Sequence, residues 1–262
     1  EVADINDNRP SSIGDAIGYD YRGAFNASGN FRFGNWNLDF NGKFVSDDTF
    51  LRRFDINDDT EIKSHLSLNR NWKNAQLEIN SIHFSSLLPE KDGSEPLILP
   101  EIKFLWNPES EILGGVSTIE LNSIGIIRKT DGNTYRLSSY LDWSRNFLHN
   151  SGSIIQLSFN LRGDLYNTSK KWTPNNSTRR LQSNPFGKNQ NINRLLPSVN
   201  VEWRLPLKNA LSDTIIEPII QLSYSSDNKK NYKIPNEDSI GFELNSHNIF
   251  AKNRMPGLDL WE

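Results

Sequence analysis

Along residues 152–166 the chain alternates almost strictly. Ile155, Leu157, Phe159, Leu161 and Leu165 fall on one parity, and Gln156, Ser158, Asn160, Arg162 and Asp164 on the other. Successive side chains of a strand point to opposite faces, so this stretch is an extended strand with one apolar and one charged face. Alternation kept up over about 9 to 11 residues is also what a tilted strand needs to cross a bilayer. The pattern therefore constrains where the chain resides more than any reaction it performs.

The same signature recurs. Trp36, Leu38, Phe40 and Phe44 oppose Asn35, Asn37, Asp39, Asn41 and Lys43. Ile62, Leu66 and Leu68 alternate with Lys63, His65 and Asn69. Leu77 and Ile79 then alternate with Gln76, Glu78 and Asn80 across an Asn-Trp-Lys-Asn turn, which reads as a hairpin. After Ser81 the phase slips to Ile82 and Phe84, the mark of a bulge or a strand end. Further strands are expected at Leu97–Trp106 and at residues 116–128, 135–147, 199–207 and 215–224, with a weaker one at 19–27. The sum is about ten strands and no convincing helix, an all-β antiparallel fold. Tight reversals are expected at Asn71, at Asp131-Gly132 and at Ser151-Gly152, and long polar connections at 46–60, 167–193 and 225–248. Short turns on one rim and long loops on the other are the habit of a membrane barrel.

Composition excludes more than it selects. A formal net charge of -3 and a pI near 5.9 give no basic footprint for nucleic acid. The chain has no cysteine, hence no disulfide and no thiolate metal site. A mean hydropathy of -0.62 fits a soluble protein and equally a barrel that wets one face of every strand. No apolar run approaches the roughly 18 residues of a spanning helix. The opening Glu-Val-Ala-Asp is not a signal peptide, so an outer-membrane reading takes the chain as a mature piece or an excised domain.

Chemistry-bearing constellations are sparse. The acidic stretch from Asp55 to Glu61 spaces oxygen ligands like the start of a calcium loop, but Thr60 stands where that loop needs Gly and Leu66 where it needs a bidentate Glu. His65, His83, His149 and His247 are scattered without metal-ligand spacing. No nucleophile elbow, phosphate loop or dinucleotide fingerprint occurs. Asp142, Glu202 and Glu217 supply carboxylates of the kind a glycosidase pairs, yet charged residues are normal on a wet strand face. Asn26, Asn167 and Asn176 begin glycosylation-type triplets, which chance explains in so Asn-rich a chain. Seven Trp and seven Tyr suit interfacial girdles, with Trp72, Phe44, Phe147 and Tyr224 near strand ends, or ordinary sandwich packing. The residues indicate neither catalysis nor a cofactor.

Several segments together resemble the LptD family of LPS-assembly proteins, also called organic solvent tolerance proteins. Phe44-Val-Ser46-Asp47-Asp-Thr-Phe-Leu51 is similar to its Val-Ser-Asp segment, and Leu196-Pro197 and Leu205-Pro206 to its paired Leu-Pro strands. Ile216-Glu217-Pro218 is similar to its Glu-Pro strand. Ile234-Pro235-Asn236-Glu-Asp238-Ser239 and Asn248-Ile-Phe250 follow in order. Asn253-Arg254-Met-Pro-Gly257-Leu-Asp259 and Glu262 close the series, with Met255 and Leu260 departing from the family's aromatic and Arg. The resemblance implies insertion of lipopolysaccharide into the outer leaflet of the bacterial outer membrane. It also implies an LptE-type lipoprotein plug inside a large barrel and substrate delivered by a periplasmic LptA-type bridge. On this resemblance residues 1–262 form a single partial barrel domain, without the family's N-terminal jelly roll and remaining strands.

The expectation is thus an antiparallel transmembrane β-barrel segment whose apolar face meets lipid. Its polar face, with Asn37, Asp39, Gln156, Asn160, Arg162, Asn200, Glu202 and Arg204, would line a wet lumen. On this assignment arginine at Leu157 or Leu161 costs about 2 to 4 kcal/mol near the midplane, whereas Asn160→Arg is mild. Two alternatives use the same alternation: a soluble glycan-binding β-sandwich with its apolar faces packed on each other, and a small porin-like barrel.

Overall fold

A computed structural model describes residues 2–4, 21–88, 95–128, 132–169, 189–208, 214–226, 233–239 and 257–259. In chain order the strands are β1 (Val2–Asp4), β2 (Tyr21–Phe33), β3 (Trp36–Val45), β4 (Glu61–Asn71), β5 (Ala75–Ser86), β6 (Leu97–Trp106) and β7 (Val116–Ile127). They continue with β8 (Thr134–Leu148), β9 (Ile154–Thr168), β10 (Gln190–Arg204), β11 (Leu207–Lys208), β12 (Ile215–Ile216) and β13 (Ile219–Ser225). Eleven of them form one sheet in the order β1 to β10 and then β13, each neighbour antiparallel, while β11 and β12 pair as a separate ribbon. Among the described residues the sheet is an up-and-down meander that is not closed, with β1 and β13 at its two edges.

Local chemistry explains where the pairing falters. The phase slip after Ser81 is a register shift between Asn80 and Ile82 against β6. A second shift lies between Ile98 and Glu101 against β7, where Pro100 has no N–H to give the ladder. The stretch 215–224 is two strands rather than one. Glu217-Pro218 interrupts it opposite Leu205-Pro206, and Leu205 N–H reaches Pro218 O at 3.2 Å across the break. Other boundaries also move: β2 runs on to Phe33, and β10 starts as early as Gln190, so the connection after Asn167 is shorter than its composition suggests. The loop 46–60 holds a one-turn helix, α1 (Phe50–Arg53), which alternation could not reveal.

The distribution of turns corrects one expectation. The turns after β2, β4, β6 and β8 share a rim, so those near Asn71 and Ser151 lie together as foreseen. The connection between β7 and β8, although short, lies on the opposite rim with the loop 46–60 and the connection from β9 to β10. Strand parity dictates this, since each antiparallel strand reverses the direction of the last.

The burial is inverted relative to a soluble protein. Ser158, Asn160, Arg162 and Asp164 are only 1–2% exposed, whereas Leu165, Leu195, Leu222 and Tyr224 are 58–77% exposed. Among the described residues no second layer covers the apolar face, as a sandwich would require. Trp36, Trp72, Trp106, Trp143 and Trp203 all lie at the short-turn end of the sheet, with the Arg70 guanidinium 5.1 and 4.6 Å from the Trp36 and Trp72 rings. Indoles gathered toward one end of the strands suit a membrane–water boundary, because their rings are amphipathic.

Candidate functional site: a charged wall and a two-segment clasp

The polar parity of β8, β9 and β10 brings charge together in cross-strand rows. Arg136 is opposite Tyr166 and Tyr166 opposite Ile192; one row further, Ser138, Asp164 and Arg194 align. Arg162 donates from Nε to both oxygens of Asp164 at 3.1 Å, and Arg194 Nε donates to Asp164 Oδ2 at 2.6 Å. Buried charges survive only when paired and hydrogen-bonded, and here one carboxylate bridges two guanidinium groups.

Two short segments, 233–239 and 257–259, dock on this wall and lock each other. Asp259 Oδ2 accepts from the backbone N–H of Glu237 at 2.7 Å and of Asp238 at 3.1 Å. In return Asp238 Oδ1 accepts from the N–H of Leu258 at 2.9 Å and of Asp259 at 3.0 Å. Asn236 and Ser239 brace the turn, with Ser239 N–H on Asn236 Oδ1 at 2.9 Å and Asn236 Nδ2 on Ser239 O at 2.8 Å. Arg136 Nη1 then holds both acids, Asp238 at 2.7 Å and Asp259 at 2.6 Å. Arg194 Nη1 donates to Asp259 O at 2.7 Å, Arg162 donates to Leu258 O, and Arg128 pairs with Glu237 at 2.6 Å. Pro235 is fully buried, and Ile234 packs with Tyr166 and Ile192 in a small apolar cluster.

Gly257 has no substitute here. Its φ is +99°, and a Cβ would collide with Asp238 O. The two acids titrate apart. Burial pushes the Asp259 carboxyl up, Arg136 draws it back and Asp238 pushes it up again, leaving it at about 6. Burial also acts on Asp238, but Arg136 and the two N–H donors outweigh it and hold that carboxyl below the usual range.

A second, smaller latch ties β2 to the loop before α1. Asp47 accepts from Arg22 Nε at 2.8 Å, from Thr49 N–H at 3.0 Å and from Thr49 Oγ1 at 2.7 Å. Ser46 Oγ accepts from Gly23 N–H at 3.0 Å and donates to Asp47 at 3.0 Å. Burial raises the Asp47 carboxyl, but the hydrogen bonds from Arg22, Thr49 and Ser46 prevail and bring it to about 2.

The motif residues of the sequence thus fall into separate groups. Pro235, Asn236, Asp238, Ser239, Gly257 and Asp259 converge in the clasp; Ser46 and Asp47 form the latch, with Leu51 on α1; Glu217 and Pro218 make the exposed strand break. Arg254 and Glu262 lie outside the described residues, as do Met255 and Asn248-Ile-Phe250.

Of the residues assigned to a lumen, Asn160 and Arg162 are buried in the wall. Asn200 is buried too, accepting from Gln221 Nε2 at 2.8 Å and Ser223 Oγ at 2.6 Å. Gln156 is half-buried, and Glu202 pairs with Arg204 at 2.8 Å. Asn37 and Asp39 lie toward the other end of the sheet, where Asp39 bonds His65 at 2.8 Å. Arg22, Arg136, Asp164, Tyr166 and Arg194 were missing from that assignment. Their signal was present for Arg136 and Arg194, arginines on the polar parity that need acids to be buried; Arg194 finds Asp164 on the neighbouring strand, whereas the acids of Arg136 lie about a hundred residues downstream.

No curated protein matches the chain. A family model described as LPS transport system D matches residues 20–262, almost the whole chain and all of the clasp and latch. The chain therefore belongs to the LptD family, which transports and assembles lipopolysaccharide at the outer membrane.

Proposed function

We propose that this chain forms part of the wall of a large outer-membrane barrel that passes lipopolysaccharide to the outer leaflet. Its polar face is turned to a wet lumen and its apolar face to lipid. The carrying observation is the inverted burial, with Arg162 at 2% and Asp164 at 1% while Leu195 stands 65% exposed. In water that arrangement forfeits the hydrophobic term on nearly every strand, and in a bilayer it is the favoured one. The wall's task is physical. It gives saccharide and phosphate a polar path while acyl chains stay in an apolar phase, and no side chain need form a covalent bond. An LptE-type lipoprotein plug would sit against the less covered polar face of β3 and β4, around Asn37 and Asp39. A periplasmic LptA-type bridge would supply the lipid from the short-turn side.

Photo-crosslinking groups at Asn37 and Asp39, and at Leu38 and Phe40, in the full-length protein in cells test this reading. The polar pair is expected to trap lipopolysaccharide or a lipoprotein, and the apolar pair membrane lipid. Identical adducts on the two parities would overturn it.

A further inference from the structure

The apolar face carries a recess of about 690 Å³ at its long-loop end, lying across β7 to β10 beside the β6 bulge. Its floor is set by small residues. Ser123 and Gly125 of β7 lie low between the β6 bulge and the larger side chains of β8. At Gly125 a Cβ would stand 2.7 Å from Leu99 O, so the bulge folds down onto that glycine and raises one wall. The two cross-strand rows differ in chemistry. The row nearer the rim aligns Gly125, Tyr135, Asn167 and Asn191, and Asn167 Nδ2 donates to Asn191 Oδ1 at 2.6 Å. One row deeper Leu137 and Leu165 stand 50% and 58% exposed.

Among the described residues no charged side chain opens into this recess. Arg136, the charged residue of its lining, is 4% exposed and committed to Asp238 and Asp259 on the opposite face. Among the described lining residues a phosphate would meet no counter-charge, whereas their amide and phenol groups hydrogen-bond neutral hydroxyls. The volume falls within the range of small-molecule sites, which is roughly 300 to 1,000 Å³. The recess is continuous with the lipid-facing surface, and its polar end lies at the long-loop rim, the external side of such barrels.

We propose that this recess docks an acyl chain of a saccharide-headed lipid of the outer leaflet, namely lipopolysaccharide already delivered, with sugar hydroxyls on Asn167, Asn191 and Tyr135 and the chain along Leu137 and Leu165. The proposal rests on the barrel reading above. The test embeds the full-length protein in nanodiscs of phosphatidylethanolamine doped with lipopolysaccharide. A photo-crosslinking group is placed at Leu137, or at Leu157 on the same face outside the recess. The expected result is about tenfold more lipopolysaccharide adduct at Leu137 than at Leu157, lost when Ser123→Phe fills the floor. Equal lipopolysaccharide yields at the two sites, or phosphatidylethanolamine adducts alone at both, would sink the recess and leave the barrel standing. Absence of any lipid adduct at either site would sink both.

Discussion

At the scale of single residues, the clasp explains how the Asp238-Ser239 turn and the distant Gly257-Leu258-Asp259 depend on each other. Each carboxylate caps the other's backbone, and Arg136 ties them to β8. Arg136→Leu leaves Asp259, 1% exposed, as an unpaired buried charge, and a loss of about 3 to 5 kcal/mol is expected. Unfolding of the purified barrel followed by gel mobility or denaturant titration reads it directly. Gly257→Ala should loosen the clasp while the strands persist, seen as protease cleavage near Asp238 without loss of β signal. The pH dependence has a definite sign. Asp259 is raised from 3.8 to about 6, so the folded state holds its proton more tightly and stability falls as pH rises through that interval. Asp47, lowered from 3.8 to about 2, contributes stability above 3.8 that is lost as pH falls between these values. Thermal stability is therefore expected to improve from pH 7.5 to 5, and Asp259→Asn should flatten that slope; an unchanged slope would show that Asp259 is not the titrating group. Burial also revises one expectation from pattern. Asn160 is 2% exposed and accepts from Tyr140 Oη at 2.8 Å, so Asn160→Arg is no mild change. Parity told which way such a side chain faces and could not tell how crowded that side is.

At the scale of elements, the strands were largely legible because period-two alternation is dictated by the pleat itself. β6 fell where expected, and the bulge at Asn80 announced itself as a break in phase. What escaped had no period. The single turn of α1 is held by Asp47 and Thr49 rather than by an amphipathic face, and the opposed prolines of the β10 to β13 hairpin read as strand until their missing N–H groups are counted. The clasp escaped for a similar reason: its partners are joined across 20 or more residues by backbone N–H groups, which leave no trace in composition. Face identity remains the most testable property of these elements. Leu161 lies on the apolar parity of β9, paired with Leu141 of β8 and Pro197 of β10, well inside the strand ends. Leu161→Arg should cost about 2 to 4 kcal/mol if that row sits near the midplane, whereas Gln156→Arg, half-buried on the other parity, should cost well under half as much. Folding into lipid vesicles measured against urea separates the two; equal losses would mean that the faces are not divided between lipid and water.

At the scale of the whole molecule, the described residues form an eleven-stranded sheet with two edges, and in a bilayer an uncovered edge would leave a row of backbone groups without partners. On the barrel reading proposed above, β1 and β13 would be met by further strands, and β1, only Val2–Asp4, covers little of β2. The two rims also differ in a way that orients the object. The short-turn rim carries Trp36, Trp72, Trp106, Trp143 and Trp203, and the opposite rim carries the latch, the clasp and the loop 46–60. Barrels of this class keep short turns in the periplasm and extend long loops outward, so the clasp would close the wall from outside, and the indoles would mark the inner boundary. Single cysteines offer a clean readout, since the chain has none of its own. Asp58→Cys, exposed in the loop 46–60, should react with a membrane-impermeant maleimide on intact cells, and Asn150→Cys, exposed in the turn between β8 and β9, should react only after the outer membrane is opened. The reverse pattern would turn the wall over and move the clasp to the periplasmic side. It would also place the lipid recess in the inner leaflet, where lipopolysaccharide is not the lipid at hand.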